Sequence, residues 1–439
     1  MVLRLFHIGL LFLSLSLVSS TDTQELLGDT DGTWSYFGYQ GYAGEVTMNA
    51  ITGSSYFYWL FQAIKGNITN PADKLPLIIW IQGGPGCSGE TGMFFENIAP
   101  FYIDNNTNPQ KNPYTWTNNY HVMTIDHPLG TGYSIAGAPY DMKNTTTGSS
   151  IQLYNFLVKL ANKYPTWFSR DLYFFGESFG GHWIPGIAYQ IVSNNRSPNP
   201  PFKFNLKGVG IGDPWTDPPN QSQTYGSYAY ATGIIDQEEL GIVQTYEDQV
   251  TSDLNTGNWN AALNDWEMSY SLIVDYAGGI NVYNSRDYNP NYNMGQMPAW
   301  LNLASTKQMI HVPSSVVWTE CNNNIYNAMT QDIMTSAAPL IPYLLDSIRV
   351  LIYNGQDDLI VNTPSTEQML ANLNWPYISN FINSNKIIWN VNGNVAGYAQ
   401  TYNNLSFVVV LKSGHMVPHD QPVNALNLVN RFINNQGWQ

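Results

Sequence analysis

The sequence predicts an α/β protein, with a mostly parallel central sheet, flanking helices and one long insertion. Three observations carry that prediction. Short unbroken apolar runs recur at Leu77–Ile81, 122–125, 172–175, Leu206–Gly212, 350–353 and 407–411. Runs of this length without polar alternation suit strands covered on both faces, the setting of parallel sheets. Helical stretches lie between them, and that alternation is the α/β layer pattern. Residues 215–343 break the rhythm, carrying helical segments and turn-rich sequence but no comparable run.

Taken in order, the first twenty residues read as a leader. Arg4 supplies a positive start, residues 8–18 an apolar stretch, and Val18 and Ser20 a small-residue cleavage context. The apolar stretch is shorter than the ~20 residues a spanning helix needs. Residues 34–64 carry aromatic and β-branched runs broken by glycine, which predicts an antiparallel meander. Residues 151–164 put Leu153, Leu157, Leu160 and Ala161 on one helical face, and Pro165 ends that helix. A second helix is expected at 181–192. Within the insertion, helices are expected at 238–250 and 259–270, followed by turns at 278–297. The resulting division is a leader (1–20), a first core part (21–214), an inserted cap region (215–343) and a second core part (344–439).

Composition narrows the function. The chain has 439 residues, with 17 Lys+Arg against 32 Asp+Glu and a net charge of −15. Such a surface repels phosphate backbones, so nucleic acid is not expected as a partner. After the leader no segment is apolar for long enough to span a bilayer. The acidic balance also suits an acidic compartment. Asn-x-Ser/Thr sequons fall at Asn67, Asn105, Asn144, Asn195, Asn220 and Asn404, and in a secreted chain they mark glycosylated loops. Pro198 directly after the Asn195 sequon disfavours its use. Of the two cysteines, Cys87 and Cys321, an oxidising compartment favours pairing. Two cysteines exclude both a disulfide framework and a Cys-based zinc site.

The chemistry centres on Gly176-Glu177-Ser178-Phe179-Gly180. This fits G-x-S-x-G, in which a strand turns sharply into a helix and exposes the serine hydroxyl. The flanking glycines read as positions where neighbouring backbone passes too closely for a side chain. An ordinary turn also satisfies five residues, but here an apolar run precedes the motif and a helix follows. A serine nucleophile needs a base, and the base an orienting acid. Among the histidines after Ser178, His182 reads as structural and His311 lies in the insertion. His415 follows the run "FVVVL" on a glycine-containing loop, with His419 on the same loop. Asp357 and Asp358 both follow the run at 350–353, and residue logic alone leaves the choice between them open.

These stretches together resemble the serine carboxypeptidases, of the α/β-hydrolase fold. The matching pieces include "WIQGGPGCSGETGMFFENIAP", "DHPLGTGYS", "GESFGGHWIP", "GIGDPWTDP", "LIYNGQDDLIVN" and "SGHMVPHDQP", in order along the mature chain. The resemblance implies a catalytic Ser178, Asp358 and His415, and an oxyanion hole from the backbone N–H groups of Gly84 and Phe179. It implies a Cys87–Cys321 bond between core and cap, and Met416 at the leaving-residue site. It implies no cofactor or metal, and peptide or protein C-termini as substrates. The location it implies is the secretory pathway, in a lysosome or vacuole or outside the cell.

An exopeptidase must hold a free carboxylate, yet residues 80–103 and 171–195 contain no Lys or Arg. They carry Glu96 and Glu177 instead. Two ionised carboxylates would repel the substrate, so at least one must hold a proton. The family pattern implies that Glu177, with Glu96, Gln82 and Gly83, binds the terminal carboxylate. This chain departs from the pattern in having Gln82 for Asn, Phe179 for Tyr, Gly180 for Ala and Gly89 for Ser. The other readings weighed are an acyltransferase or esterase on the same scaffold, a catalytically idle glycoprotein that stabilises a partner, and a glycosidase.

Overall fold

The computed structural model describes residues 28–289 and 291–439, so the leader read at 1–20 lies outside the described residues. The described residues form thirteen strands, in chain order β1 (Gly32–Tyr36), β2 (Tyr39–Asn49), β3 (Ser54–Phe61), β4 (Leu77–Ile81), β5 (Phe101–Ile103), β6 (Pro109–Lys111), β7 (His121–Ile125), β8 (Leu172–Glu177), β9 (Leu206–Gly212), β10 (Arg349–Gly355), β11 (Ile387–Val391), β12 (Asn394–Tyr402) and β13 (Leu405–Val410). Strands β5 and β6 make a small separate ribbon. The other eleven form one sheet in the order β1-β2-β3-β7-β4-β8-β9-β10-β13-β12-β11.

The six central strands, β7 to β13 in that order, are parallel, and each is one of the apolar runs. The expected meander is β1-β2-β3, joined antiparallel to β7. The far edge is also antiparallel, because β13 is followed in space by β12 and β11. The sheet is therefore mixed, with parallel pairing confined to its centre. The hairpin β11–β12 escaped the reading because its residues alternate in burial as an edge does. Its signal was nevertheless present: Asn392-Gly393 closes the turn with both residues at positive φ (51° and 81°), the signature of a two-residue hairpin.

The central runs are apolar throughout because both faces are covered. On one face, Ile79, Phe174, Val209 and Ile352 pack with residues of α1 (Thr146–Lys163) and α2 (Gly180–Asn195). On the other, Ile78, Phe175, Leu351 and Val408 pack with Val429 and Phe432 of the C-terminal helix Pro422–Ile433. Helix α1 starts on a Thr145 side-chain cap and ends at Lys163, two residues before Pro165. Between β9 and β10 the described residues form helices and turns without a named strand, including the helices Gln237–Thr256 and Trp259–Tyr276. A Cys87–Cys321 disulfide ties this region to the loop after β4. No helix of the described residues is long and apolar enough to cross a membrane.

The sequons divide by exposure. Asn67, Asn105 and Asn144 are exposed. The side-chain nitrogens of Asn195, Asn220 and Asn404 are already donated, to Phe204 O, Asp217 Oδ2 and Leu345 O (2.7, 2.6 and 2.8 Å). Peptide mass spectrometry of protein from a secreting host is expected to find glycan on the first three and little on the others.

Candidate active site

Strand β8 ends at Glu177 and α2 begins at Gly180, so Ser178 occupies the turn between them. Its φ is +73°, a left-handed backbone that costs a non-glycine residue energy and therefore marks an imposed conformation. The turn is locked by its neighbours. Ser178 N donates to Gly212 O (3.0 Å), and Trp215 N and Gly181 N donate to Ser178 O (2.9 and 2.8 Å). One expectation needs correction. A Cβ at Gly176 would meet Ile81 O at 2.5 Å, as expected of a tight crossing, but one at Gly180 finds nothing nearer than 3.7 Å. The tight position is Gly181, where a Cβ would lie 2.3 Å from Thr216 Oγ1.

The loops leaving β10 and β13 bring the other two groups together. His415 Nδ1 and Asp358 Oδ2 are hydrogen-bonded at 2.8 Å, and both residues are buried. Asp358 Oδ1 accepts from Ile360 N (3.0 Å), and His415 N donates to Tyr283 O (2.7 Å). Asp357, one residue away, turns outward to pair with Arg286 at 2.9 Å. The remaining histidines are occupied elsewhere. His182 lies between Trp215 O and Thr335 O, His311 bonds Thr33 O, and His419 bonds Phe95 O and stacks on its ring.

Ser178 and His415 line one cavity of about 220 Å³, together with Gln82, Gly84, Glu177, Tyr283, Tyr292 and Met416. A direct hydrogen bond from Ser178 Oγ to His415 is not among those of the described residues; such contacts are commonly looser before substrate closes the site. A second cavity, of about 100 Å³, also reaches Gly84 and Ser178 and is walled by Trp215, Trp266, Tyr270 and Ile360. The serine thus stands between two recesses, a polar one that carries the Gln82, Glu177 and His415 side chains and an apolar one walled by aromatic and aliphatic side chains.

The "GGPG" turn passes against the elbow. A Cβ on Gly83 would fall 2.6 Å from Ser178 Cβ and 2.7 Å from Phe179 N, so only glycine permits this approach. Among the described residues, neither the Gly84 nor the Phe179 N–H donates to a protein acceptor. Two free N–H groups at a nucleophile can stabilise a developing oxyanion.

Glu96 and Glu177 meet behind the polar cavity. Gln82 Nε2 donates to Glu96 Oε1 (3.1 Å) and Glu177 Oε1 (3.2 Å), while Trp80 Nε1 donates to Gln82 Oε1 (2.7 Å). The second oxygens of both acids are buried without a donor. Burial, and then the adjacent Glu96 charge, hold Glu177 well above the usual carboxyl range; burial raises Glu96 as well. Both carboxyls therefore hold a proton to higher pH than an ordinary carboxyl does. Two other acids matter that were not singled out. Asp213 adjoins Asp358, and its signal was an acid directly after the apolar run Leu206–Gly212. Glu90, also within 80–103, faces Asp126 beside Ser88 and Trp318.

These raised acids have a consequence for stability. Burial lifts Glu90, Glu96, Asp126, Glu177 and Asp213, and pushes Glu45 up to about 7. Between the unfolded carboxyl range and these values the folded chain holds more protons than the unfolded one, so their contribution falls as pH rises. Burial lowers His121 to about 4 and His127 to about 3, which acts oppositely, but only below their unfolded value near 6.5. Above that point the acids are unopposed. Glu45, at about 7, titrates just above that point, so the thermal midpoint is expected to be lower at pH 8 than at pH 6.5 in calorimetry, and a rising midpoint would contradict this account.

An α/β hydrolase with a serine at a strand–helix elbow, and a histidine that opens on the same cavity and is held from behind by an aspartate, is the class of protein that fold and site define. Residues 32–435 match the family model described as serine carboxypeptidase, and the chain belongs to that family. It is 34% identical to serine carboxypeptidase S10 family member 1 of Dictyostelium discoideum, over 90% of this chain and 94% of that one. It is also 34% identical to the venom serine carboxypeptidase of Apis mellifera, covering 90% and 85%. Among solved structures it resembles the prohormone-processing carboxypeptidase Kex1 of Saccharomyces cerevisiae, at 25% identity and a TM-score of 0.79 over 90% and 92% of the two chains. The activity is that of a serine-type carboxypeptidase acting on peptides.

Proposed function

We propose that this carboxypeptidase works in acid, in a lysosome-like or vacuolar compartment or after export, with Ser178, His415 and Asp358 as its catalytic groups. Ser178 Oγ attacks the last peptide carbonyl while His415 Nε2 takes its proton. Asp358 holds the imidazole in the tautomer that leaves Nε2 free. The carbonyl oxygen, now negative, is met by the Gly84 and Phe179 N–H groups. His415 then passes the proton to the departing nitrogen and the C–N bond breaks. Water, deprotonated by the same imidazole, releases the acyl group from Ser178.

The polar cavity takes the departing amino acid, and its carboxylate meets the protonated Glu96–Glu177 pair with Gln82 and Gly83. Residues 215–343 act as a cap, contributing Tyr283 and Tyr292 to this cavity and Trp266 and Tyr270 to the apolar one. The observation that carries the reading is that Ser178, His415 and Glu177 open on one recess, with the buried Glu96 behind Glu177 across Gln82. Esterase and acyltransfer chemistry would need no such pair. The test is timed release of C-terminal residues from matched peptides with free and amidated ends at several pH values. Preference for the free end in acid is expected; equal handling of both ends would overturn the proposal.

A further inference from the structure

Asp213 is a buried acid at the reacting end of the sheet to which the reaction just described assigns no task. It directly follows β9, between the elbow after β8 and the end of β10. Its N–H donates to Tyr353 O (2.7 Å), and its φ is +44°. Asp213 Oδ1 accepts from Gly355 N (2.8 Å) and Asn354 Nδ2 (3.1 Å). Asp213 Oδ2 is buried and has no donor. One side-chain atom from each of Asp213, Asp358 and His415 lies within 4.8 Å of the others, and Asp213 and Asp358 are 0% exposed.

We propose that Asp213 is a positioning residue for the acyl transfer: it stays protonated and donates a hydrogen bond to the Asp358 carboxylate, keeping that carboxylate aimed at His415 Nδ1. The inference rests on reading Ser178, His415 and Asp358 as the catalytic groups. Two ionised carboxylates side by side in a dry site repel strongly, so one of such a pair keeps its proton. Asp358 is the one placed to carry the charge, because each of its oxygens accepts a hydrogen bond, from Ile360 N and from the imidazole. Asp213 receives two donors on a single oxygen and turns the other towards no donor at all, which is the arrangement a carboxylic acid satisfies by donating.

The surroundings agree. Burial and the adjacent Asp358 hold Asp213 well above the usual carboxyl range, and the Glu96 charge acts in the same direction. The other titratable groups facing it are Glu177 and Tyr353, both of which would add negative charge on ionising. Only His415, when protonated, offers a positive charge nearby. The left-handed backbone at Asp213 is one that Asn and Gly also adopt readily, which makes two informative variants available.

Asp213→Asn keeps an acceptor for Gly355 N and supplies a permanent, uncharged donor. Asp213→Gly keeps the backbone and removes the donor. The readouts are kcat and KM on a peptide with a free C-terminus, and the rate of Ser178 labelling by a fluorophosphonate against pH. Labelling depends on the hydroxyl and imidazole but not on carboxylate recognition. The Gly variant is expected to lose about 30-fold in kcat and in labelling rate with KM little changed, within the range usual for a group that orients a functional side chain. The Asn variant is expected to stay within about 3-fold of wild type, with the acid limb of its labelling profile unmoved, because an uncharged group has replaced an uncharged group. If Asp213 were ionised, removing a charge so close to the imidazole would shift that limb down by about one pH unit or more.

A shifted limb, an Asn variant as impaired as the Gly variant, or a Gly variant as active as wild type would each overturn the inference. Should the Gly variant fail to fold, the acid limb of the Asn variant still decides. Wild-type protein that is not labelled at Ser178 would instead overturn the catalytic reading beneath it.

Discussion

Ser178→Ala is expected to lower kcat for release of a C-terminal residue by about 10⁶-fold, leaving only what binding and the oxyanion donors contribute. The loss is large because the groups act as a unit. Without the hydroxyl, His415 has no proton to take and no acyl-enzyme forms. Asp358→Asn should leave the fold intact yet cost about 10⁴-fold, because an amide donating to Nδ1 stabilises the wrong tautomer of His415. KM should change little in the first variant, since the cavity walls and the acid pair remain. Progress curves at high enzyme concentration, with mass spectrometry for an acyl adduct on Ser178, measure both effects. A Ser178→Ala protein that retained more than a few per cent of wild-type kcat would mean that another nucleophile does the work.

The second large effect concerns pH and the substrate's own charge. Wild-type kcat/KM for peptides with a free C-terminus is expected to fall by about 100-fold or more from pH 5 to pH 8, the cost of losing a hydrogen bond to a charged group and gaining a like charge in its place. The sign follows from Glu177, whose burial and Glu96 neighbour raise it: the proton is present in acid and leaves as pH rises. Amidated peptides, which carry no terminal charge, should not show this fall. Glu177→Gln retains a donor at every pH, so its decline between pH 5 and 8 should be much shallower. Glu177→Ala should be weak throughout, by about 10- to 100-fold at pH 5. A full set of profiles on paired free and amidated peptides measures this. Parallel profiles for wild type and Glu177→Gln would remove the acid pair from substrate recognition.

Much of the sheet was legible because its central strands are buried on both faces. Burial of that kind demands unbroken apolar runs, and 77–81 or 206–212 can be read with no knowledge of neighbours. The elbow was legible for a related reason. A strand, a small-residue turn and a helix are local, and the strain at Ser178 is announced by the glycines around it. The reason given for Gly180 was nevertheless mistaken. Which glycine is crowded depends on Trp215 and Thr216, far along the chain. The edge hairpin β11–β12 was missed because half-exposed strands alternate weakly, although Asn392-Gly393 carried its turn.

The residues alone determined the classes of chemistry on offer: one serine at an elbow, a handful of histidines, two adjacent aspartates after one strand, and acids in place of the bases expected for carboxylate binding. The three-dimensional arrangement decided among them. It turned Asp358 inward to His415 and Asp357 outward to Arg286, seated His419 on Phe95, and placed Glu96 against Glu177 across a common glutamine. It also set Asp213 beside Asp358, a pairing that no spacing along the chain announces. The physical reason is range. Periodicity and turn chemistry act over a few residues and are written in order, whereas a carboxyl's proton depends on burial and on neighbours brought close from distant parts of the chain, as Asp358 is to Asp213 and Glu177 to Glu96.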